Sequence, residues 1–479
     1  MTPPNTAVPG HRNWQARLWG ASVMPLTYWL RGEPVLQRAR ELERTQWLAP
    51  EELQALQTEA LRALLRESQQ SHPFYRERLS KLNLEFGAKD LPEVLSQIPI
   101  LERGQAQQML SMVPASWRRA LRSTGRYTAG TTGVPLVLLV DANANARTLA
   151  ARLRSMSWFG IERGDREGRL WGRSADRTGR FNAALKDFAL NRMRITPRDL
   201  EPDHLEQTLT DFQRRRPAYL YGYTSMIVRL AAALADRGIA GAVPLKAAIA
   251  TAEECKPRDA EWLAKTLNCP VAIEFGCSEV DIIAHSCPAG GMHLLSDNLL
   301  FEVLPSDNTM PDGAGPLIVT DLHNRMSPLI RYRLGDAVAL DAKACVCGRG
   351  LPLVKRFIGR SEKQWVHRPD GRRVHSYIFD YFIDHIVNAG IEVRQARVAQ
   401  LALDRLCVDA MVGGDLELAR EAFERAVERE LVPHLGPAIK VEISLNQRIV
   451  PIPGHKAEFF VALDHADTLL SPPDPADPA

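Results

Sequence analysis

The sequence predicts an α/β chain, with a large N-terminal domain of layered sheets and helices followed by a small α+β C-terminal domain. Three observations predict it. From about residue 120 to 350, apolar runs of strand type alternate with helical ones, the order that a layered α/β domain requires. Near Gly359 the texture changes to a short strand, a turn at Pro369-Asp370-Gly371, a helix, an alternating strand-type stretch and then a charged helix. A length of 479 residues accommodates about two to four domains with sizeable cores.

The elements follow in order. Residues 1–119 read as a helical part of the large domain. Their apolar stretch Leu18 to Leu30 spans 13 residues, contains Pro25 and lies between Arg17 and Arg31, so it is too short to cross a bilayer. A helix over Trp14 to Leu30 has two uses: packing against the main body, the commoner one, or lying on a membrane surface. The start lacks the basic, apolar and small-residue order of a signal peptide, which predicts a cytoplasmic location. Residues 33–82 read as helices, with Leu53, Leu56, Leu61 and Leu65 at helical spacing and Pro50 at the start of one. Strands are expected at Pro135 to Val140, Ala218 to Leu220, Ala247 to Thr251, Val271 to Phe275, Leu299 to Leu304 and Leu317 to Thr320, within a core over 120–359. Residues 360–470 form the small domain, with the alternating "IEVRQARVAQLALDRLCVDAMV", a helix around Leu416 to Glu430 and "IKVEISL". The Pro-rich tail 471–479 is expected to be disordered.

Composition excludes several classes. Apolar residues make up 45% and charged residues 24%, which argues against a disordered, fibrous or membrane-spanning chain. Sixty basic against fifty-seven acidic residues leave +3, too small a surplus to imply nucleic acid as a partner. The runs Arg214-Arg215-Arg216 and Arg118-Arg119 read as solvated helix faces. Seven cysteines, an odd number, argue against a disulfide framework.

The sharpest local signal is Tyr127-Thr128-Ala129-Gly130-Thr131-Thr132-Gly133-Val134-Pro135-Leu136. Glycines allow close backbone approach, while hydroxyls and N–H groups donate to phosphate oxygens, so the loop suits a triphosphate. Read alone it fits a surface turn equally well, and it lacks the Gly-Lys-Ser/Thr ending of a Walker loop. Three further motifs follow it: Phe275-Gly276-Cys277-Ser278-Glu279, Tyr332-Arg333-Leu334-Gly335-Asp336 and Gly359-Arg360. In order and spacing the four resemble the core motifs of adenylate-forming enzymes. Within that superfamily the chain resembles the phenylacetate-CoA ligase family, especially its CapK-type members associated with capsular polysaccharide. "HPFYRERL" (His72 to Leu79), "LYGYTSM" (Leu220 to Met226) and "TDLHNRMSPLIRYRLGD" (Thr320 to Asp336) support the resemblance, which covers about residues 30 to 465.

The resemblance implies an activity and a division of labour. A carboxylate is a poor acyl donor; joining it to AMP gives a mixed anhydride with a good leaving group, and pyrophosphate departs. Charge builds up in that reaction, so donors and cations must be placed to meet it. Thr128, Gly130, Thr131, Thr132 and Gly133 would hold the outer phosphates of ATP, and Ser278 would join the nucleotide contacts. Glu279 would hold Mg²⁺. Phe275 would lie beside the adenine, where the superfamily more often has tyrosine. Asp336 would accept from both ribose hydroxyls, and Arg360 would contact the nucleotide. Read alone, either acid also fits a helix cap or a surface charge. Lys456, in "PIPGHKAEFFVAL", is similar to the family's late lysine, which bridges the substrate carboxylate and the α-phosphate. With only eleven lysines in 479 residues, one at that place is uncommon by chance, although a solvated turn lysine reads the same way.

Two departures stand out. Leu136 replaces the Lys or Arg of many relatives outside this family, and the hinge position after Arg360 is Glu362, followed by Lys363, where Asp is usual. If the hinge works as in the family, the small domain is mobile: it swings after AMP transfer, removing Lys456 and opening an acceptor channel.

Cys287 and His293, separated by Pro-Ala-Gly-Gly-Met, and Cys345-Val346-Cys347 some fifty residues later would make a closed structural zinc site. His285 competes for the fourth position, and reduced core cysteines are the alternative. Similar placements occur in the family. Cys255, Cys269, Cys277 and Cys407 read as small core or pocket residues. The acyl pocket is expected around Trp158-Phe159-Gly160, Tyr221-Gly222-Tyr223, Thr251-Ala252-Glu253 and Cys277 to Ile282, although Trp158 and Tyr221 fit a core equally well. Three functions remain open: a ligase making a thioester, with coenzyme A or a carrier-protein thiol as acceptor; an adenylating enzyme serving an amine or hydroxyl in polysaccharide or secondary-metabolite synthesis; and a degenerate scaffold that binds a nucleotide or partner without turnover. The sequence leaves the acid undetermined, and leaves open a single chain or a homodimer.

Overall fold

The structure, a computed structural model, describes residues 14–80, 91–113, 117, 124–128, 136–171, 177–253, 255, 257–305, 314–358, 365–375, 377–446 and 460–461. The chain divides into two compact units. Unit 1 comprises Met1–Gly125 and Leu139–Ile358, and unit 2 comprises Arg126–Leu138 and Gly359–Ala479.

Strands β1 (Thr124–Thr128) and β2 (Leu136–Val140) form a two-stranded sheet. Unit 1 is built on β3 (Glu167–Leu170), β4 (Arg192–Ile195), β5 (Tyr219–Tyr223), β6 (Ala248–Thr251), β7 (Val271–Cys277), β8 (Asp281–Ser286), β9 (Met292–Leu294), β10 (Leu299–Val303), β11 (Gly315–Asp321), β12 (Tyr332–Asp341) and β13 (Leu353–Ile358). These join in one sheet of order β10-β11-β12-β13-β9-β8-β7-β6-β5-β3-β4. Strands β4 to β7 pair in parallel, while β7 to β10 pair antiparallel through β8, β9, β13, β12 and β11. The change of direction falls at β7. On its parallel side, β6 and then β5 are buried along their whole lengths, as strands covered on both faces must be.

The expected strands lie within β2, β5, β6, β7, β10 and β11 to within a few residues. The helix Pro50–Ser71 starts at the proline and buries Leu53, Leu61, Leu64 and Leu65. Leu56, expected on that face, is only half-buried, because the stripe turns toward Gln57 and Leu64.

Helix Ala142–Ser157 packs on helix Val35–Thr45. Asp141 caps it, accepting from Ala144 N at 2.9 Å, and its other oxygen accepts from Arg325 N at 2.9 Å. Arg154 is fully buried and paired with Asp297, which also accepts from Thr45 Oγ1 at 2.7 Å. A buried pair of this kind is costly to break from one side, since the remaining charge is left without water.

In unit 2, β14 (Trp365–His367) pairs with β15 (Arg373–His375). A second sheet of order β18-β17-β16-β19 joins β16 (Glu392–Ala402), β17 (Arg405–Gly413), β18 (Lys440–Asn446) and β19 (Phe460–Val461). Helices Tyr377–Asn388 and Leu416–Ala426 bury Phe382 and Phe423 against each other, ring centroids 5.7 Å apart, in this unit's own core. Among the described residues no helix is long and apolar enough to cross a membrane.

Candidate functional site

The carboxyl end of β7 is where the sheet changes direction, the place where open α/β sheets present ligands. Phe275, Gly276 and Cys277 end the strand, and Ser278 and Glu279 form the turn into β8. Gly276 is there because nothing larger fits: a Cβ would stand 2.2 Å from Asp281 O. Phe275 stacks on Phe357 of β13 with centroids 4.0 Å apart and planes at 28°, leaving a half-buried aromatic ring at the strand end. Ser278 is exposed.

Glu279 is buried, yet its partners are loose. Arg103 Nη1 lies 3.5 Å from its Oε1, and the Tyr332 hydroxyl donates to the same oxygen at 3.4 Å. Tyr332 opens β12, which carries Asp336, half-buried, four residues on. Both acids act on Cys277: burial first, then Glu279 and, more weakly, Asp336 hold its thiol well above the ordinary range. Burial and then Glu279 likewise raise the Tyr332 phenol. Glu279 and Asp336 therefore both act on Cys277, two residues from Phe275, with Arg103 the cation against Glu279; two carboxylates so placed suit a divalent cation.

The segment before Tyr332 is a brace. Asp321 Oδ1 accepts from the N–H groups of His323 and Asn324 at 3.0 and 3.2 Å, and Ser327 Oγ accepts from Leu139 N at 3.0 Å. Tyr75 donates to Pro328 O at 2.5 Å, so the His72 and Thr320 motifs meet here. Arg331, at φ 52°, holds Glu302 at 2.7 Å. These residues fix where β12 begins.

Thr128 ends β1. Gly130, Thr131, Thr132, Gly133, Arg360, Glu362 and Lys456 lie outside the described residues. Leu136 is buried. Trp158 and Tyr221, weighed for the acyl pocket, are packing residues. Trp158 presents its face to Arg349 at 4.4 Å and lies edge-on to His285 and His293, each at 5.8 Å. The buried Tyr221 hydroxyl donates to Glu274 at 2.5 Å, under Arg169 at 4.3 Å. Tyr223 stacks on Trp171 at 4.5 Å, at the carboxyl end of β5. Sequence reasoning did not identify Arg103 or Phe357. Neither has a local signal, because Arg103 meets Glu279 across 176 positions.

A second cluster joins Cys287, His293, Cys345 and Cys347, whose ligand atoms all lie within 4.8 Å of one another. Cys287 Sγ is 3.7 Å from Cys345 Sγ, and Cys347 Sγ is 3.3 Å from His293 Nε2. A sulfur pair at a disulfide would be about 2.05 Å apart, whereas metal–sulfur bonds of about 2.3 Å put tetrahedral neighbours about 3.8 Å apart. The donors fit a metal and not a crosslink. His293 Nδ1 meets Leu351 O at 3.0 Å, turning Nε2 to the thiols, the orienting contact expected of a metal-bound imidazole. Gly291 has no room for a side chain, since a Cβ would stand 2.7 Å from Cys345 Sγ. His285, the competitor, is not in the cluster: its Nδ1 lies 2.8 Å from Ser286 O and its ring packs on Trp158 and Phe159. Burial raises the Cys287 thiol to about 11. At Cys347 burial opposes ionisation, but hydrogen bonds from Arg349 and Cys345 and the guanidinium charge bring it below the usual value.

No family model matches the chain. Protein CapK of Staphylococcus aureus is 22% identical over 391 residues, covering 81% of this chain and 84% of that protein. Phenylacetate-coenzyme A ligase of Thermus thermophilus is 26% identical over 341 residues, covering 67% and 73%. Among solved structures, 2-hydroxyisobutyryl-CoA ligase with 2-HIB-AMP and CoA in the thioesterification state superposes with a TM-score of 0.57 at 17% identity, over 88% of this chain and 91% of that one. Its postadenylation state with 2-HIB-AMP gives 0.55 at 18% identity, over 89% and 93%. The chain has this fold, and its relatives are those that its four motifs resemble.

Proposed function

We propose that this chain, a relative of CapK and phenylacetate-coenzyme A ligase with the fold of an adenylate-forming CoA ligase, is an ATP-dependent, AMP-forming acid–thiol ligase. The observation that carries the reading is the buried Glu279 on loose partners at the end of β7, with Asp336 and the Phe275–Phe357 stack beside it. A carboxylate held at 3.4–3.5 Å can exchange those contacts for a better one at small cost.

In the first step a substrate carboxylate oxygen attacks the α-phosphorus of ATP; the bond to the β-phosphate oxygen breaks and pyrophosphate leaves with the electron pair. In the second, a thiolate attacks the acyl carbon and AMP leaves, its phosphate taking the pair from the broken C–O bond. Glu279 is assigned to hold Mg²⁺, which neutralises phosphate charge when bound. Asp336 is assigned to the ribose hydroxyls, Phe275 to the adenine face, and Ser278 with Thr128, Gly130, Thr131, Thr132, Gly133 and Arg360 to the phosphates and nucleotide. Lys456 is assigned to the α-phosphate and carboxylate, with Glu362 as hinge. Coenzyme A is the assigned thiol, a carboxylic acid the acyl donor, and the cytoplasm, which supplies ATP and coenzyme A, the location. Zinc is assigned to the Cys287, His293, Cys345 and Cys347 donors as a structural ion, since four protein ligands leave no open position.

Exchange of labelled pyrophosphate into ATP, across a panel of carboxylic acids, tests the reading. Exchange with at least one acid is expected, followed by AMP release that needs coenzyme A. No exchange with any acid, in protein that still binds ATP, would leave a scaffold instead. AMP release that ignores coenzyme A and follows an amine or hydroxyl would move the acceptor. Lys456→Ala is expected to abolish adenylation and spare transfer from supplied acyl-AMP; equal loss of both steps would remove its role.

A further inference from the structure

The helical segment Trp14–Leu30, an α-helix with a π-turn at Trp19–Val23, is built inside out for a surface element. Its inner side is anchored. Met24 and Tyr28 are buried with Val35 and Leu42, and Arg163 Nε donates to Gly20 O at 2.6 Å. Gly20 must be glycine, since a Cβ would stand 2.1 Å from Arg163 O. The outer side should then be polar. It is not: Trp14 is 68% exposed, Trp29 74% and Leu30 61%, with Leu18 and Leu26 between them.

The apolar surface continues onto a second helix. Trp19 Nε1 donates to Phe188 O at 2.7 Å and its ring lies edge-on to Phe188 at 5.2 Å. Phe188 and Leu185, on helix Arg177–Ala189, are both exposed. Single exposed apolar residues are ordinary, but a run of them with two tryptophans is an interaction surface.

Its charges are of one sign. Residues 1–32 contain no Asp or Glu; the first acid is Glu33, buried and paired with Arg31. Arg17 and Arg31 are exposed at the two ends of the patch and Lys186 at its side. Partial burial of its stem, and then the positive fields of Arg192, Arg31, Arg169 and Arg194, lower the Lys186 pKa, which marks the surroundings of its ammonium as positive. The neighbouring acid, Asp187, is taken up by Arg194 through bonds of 2.8 and 2.7 Å.

We propose that this face docks the protein on an anionic phospholipid bilayer, lying in the interface without crossing it. Tryptophan and leucine enter the headgroup boundary, and the rim of arginine and lysine meets the lipid phosphates. A second copy is the poorer occupant, because a twofold contact would set Arg17, Arg31 and Lys186 against one another with no acid on the patch to receive them.

The full chain is sedimented with vesicles of phosphatidylcholine alone and of phosphatidylcholine with phosphatidylglycerol at 3:1. Binding to the anionic vesicles at least about 10-fold tighter is expected, weakening with salt. The double substitution Trp14→Ser/Trp29→Ser is expected to weaken it at least about 10-fold, with unchanged melting temperature and unchanged pyrophosphate exchange, because both rings stand in solvent. Arg17→Glu is expected to weaken it several-fold. Equal binding by wild type and the double variant, or no binding to anionic vesicles by folded protein, overturns the proposal. So does a micromolar dimer that the double variant dissociates while vesicles are ignored.

Discussion

Unit 1 holds two clusters of reactive side chains on one sheet, and they are built oppositely. The Cys287, His293, Cys345 and Cys347 donors crowd within 4.8 Å, with His293 oriented by Leu351. Glu279 is just as well buried but rests on contacts of 3.4 and 3.5 Å to Tyr332 and Arg103. The first cluster brings four donors close enough for one metal ion to take all of them. The second holds one buried carboxylate on long contacts. Burial alone therefore does not mark a reaction centre; the tightness of the contacts around the buried group distinguishes the two.

Four measurements would sharpen or break that contrast, given in order of size. Cys345→Ser is expected to abolish stoichiometric metal and to lower stability by more than about 4 kcal/mol; metal analysis near zero on folded wild type would break the comparison at its first term. Glu279→Gln is expected to keep the melting temperature and slow adenylation about 100-fold, near 3 kcal/mol. A large loss of stability instead would make Glu279 a structural acid.

The third concerns His72, the opposite of His293: fully buried, with no hydrogen-bond partner on either ring nitrogen among the described residues. Burial lowers its pKa to about 4. The unfolded chain takes up that proton near pH 6.5 while the folded one does not until about pH 4, so this contribution to stability falls as pH drops through that window. Between about pH 7 and pH 5 the loss is about 2 kcal/mol. Urea denaturation should show it in wild type and not in His72→Phe; identical slopes would reject it. The smallest effect is Tyr332→Phe, which removes one long hydrogen bond to Glu279 and is expected to cost about 1 kcal/mol in adenylation, with stability nearly unchanged. A loss as large as that of Glu279→Gln would mean that the phenol touches substrate.

Much of this was legible in the sequence because burial writes a local period. Strands β5, β6 and β7 and the helix at Pro50 could be read from runs of a few residues. What joins distant segments could not. Arg103 reaches Glu279 from the start of helix Arg103–Ser111, far away in sequence, and Phe357 reaches Phe275 only because β13 folds back along β12. Cysteine spacing suggested the second cluster but could not choose between His285 and His293, which are directly paired across β8 and β9. Trp158 and Tyr221 read equally as pocket or core, and rings filled by Arg349 and Arg169 decided it.

Strand β13 links these stories. Leu353, near its start, is paired with His293, and Phe357, near its end, carries the ring beneath Phe275. On the proposed assignment of Phe275 to the adenine face, β13 is the element that joins the nucleotide contact to the four-donor cluster.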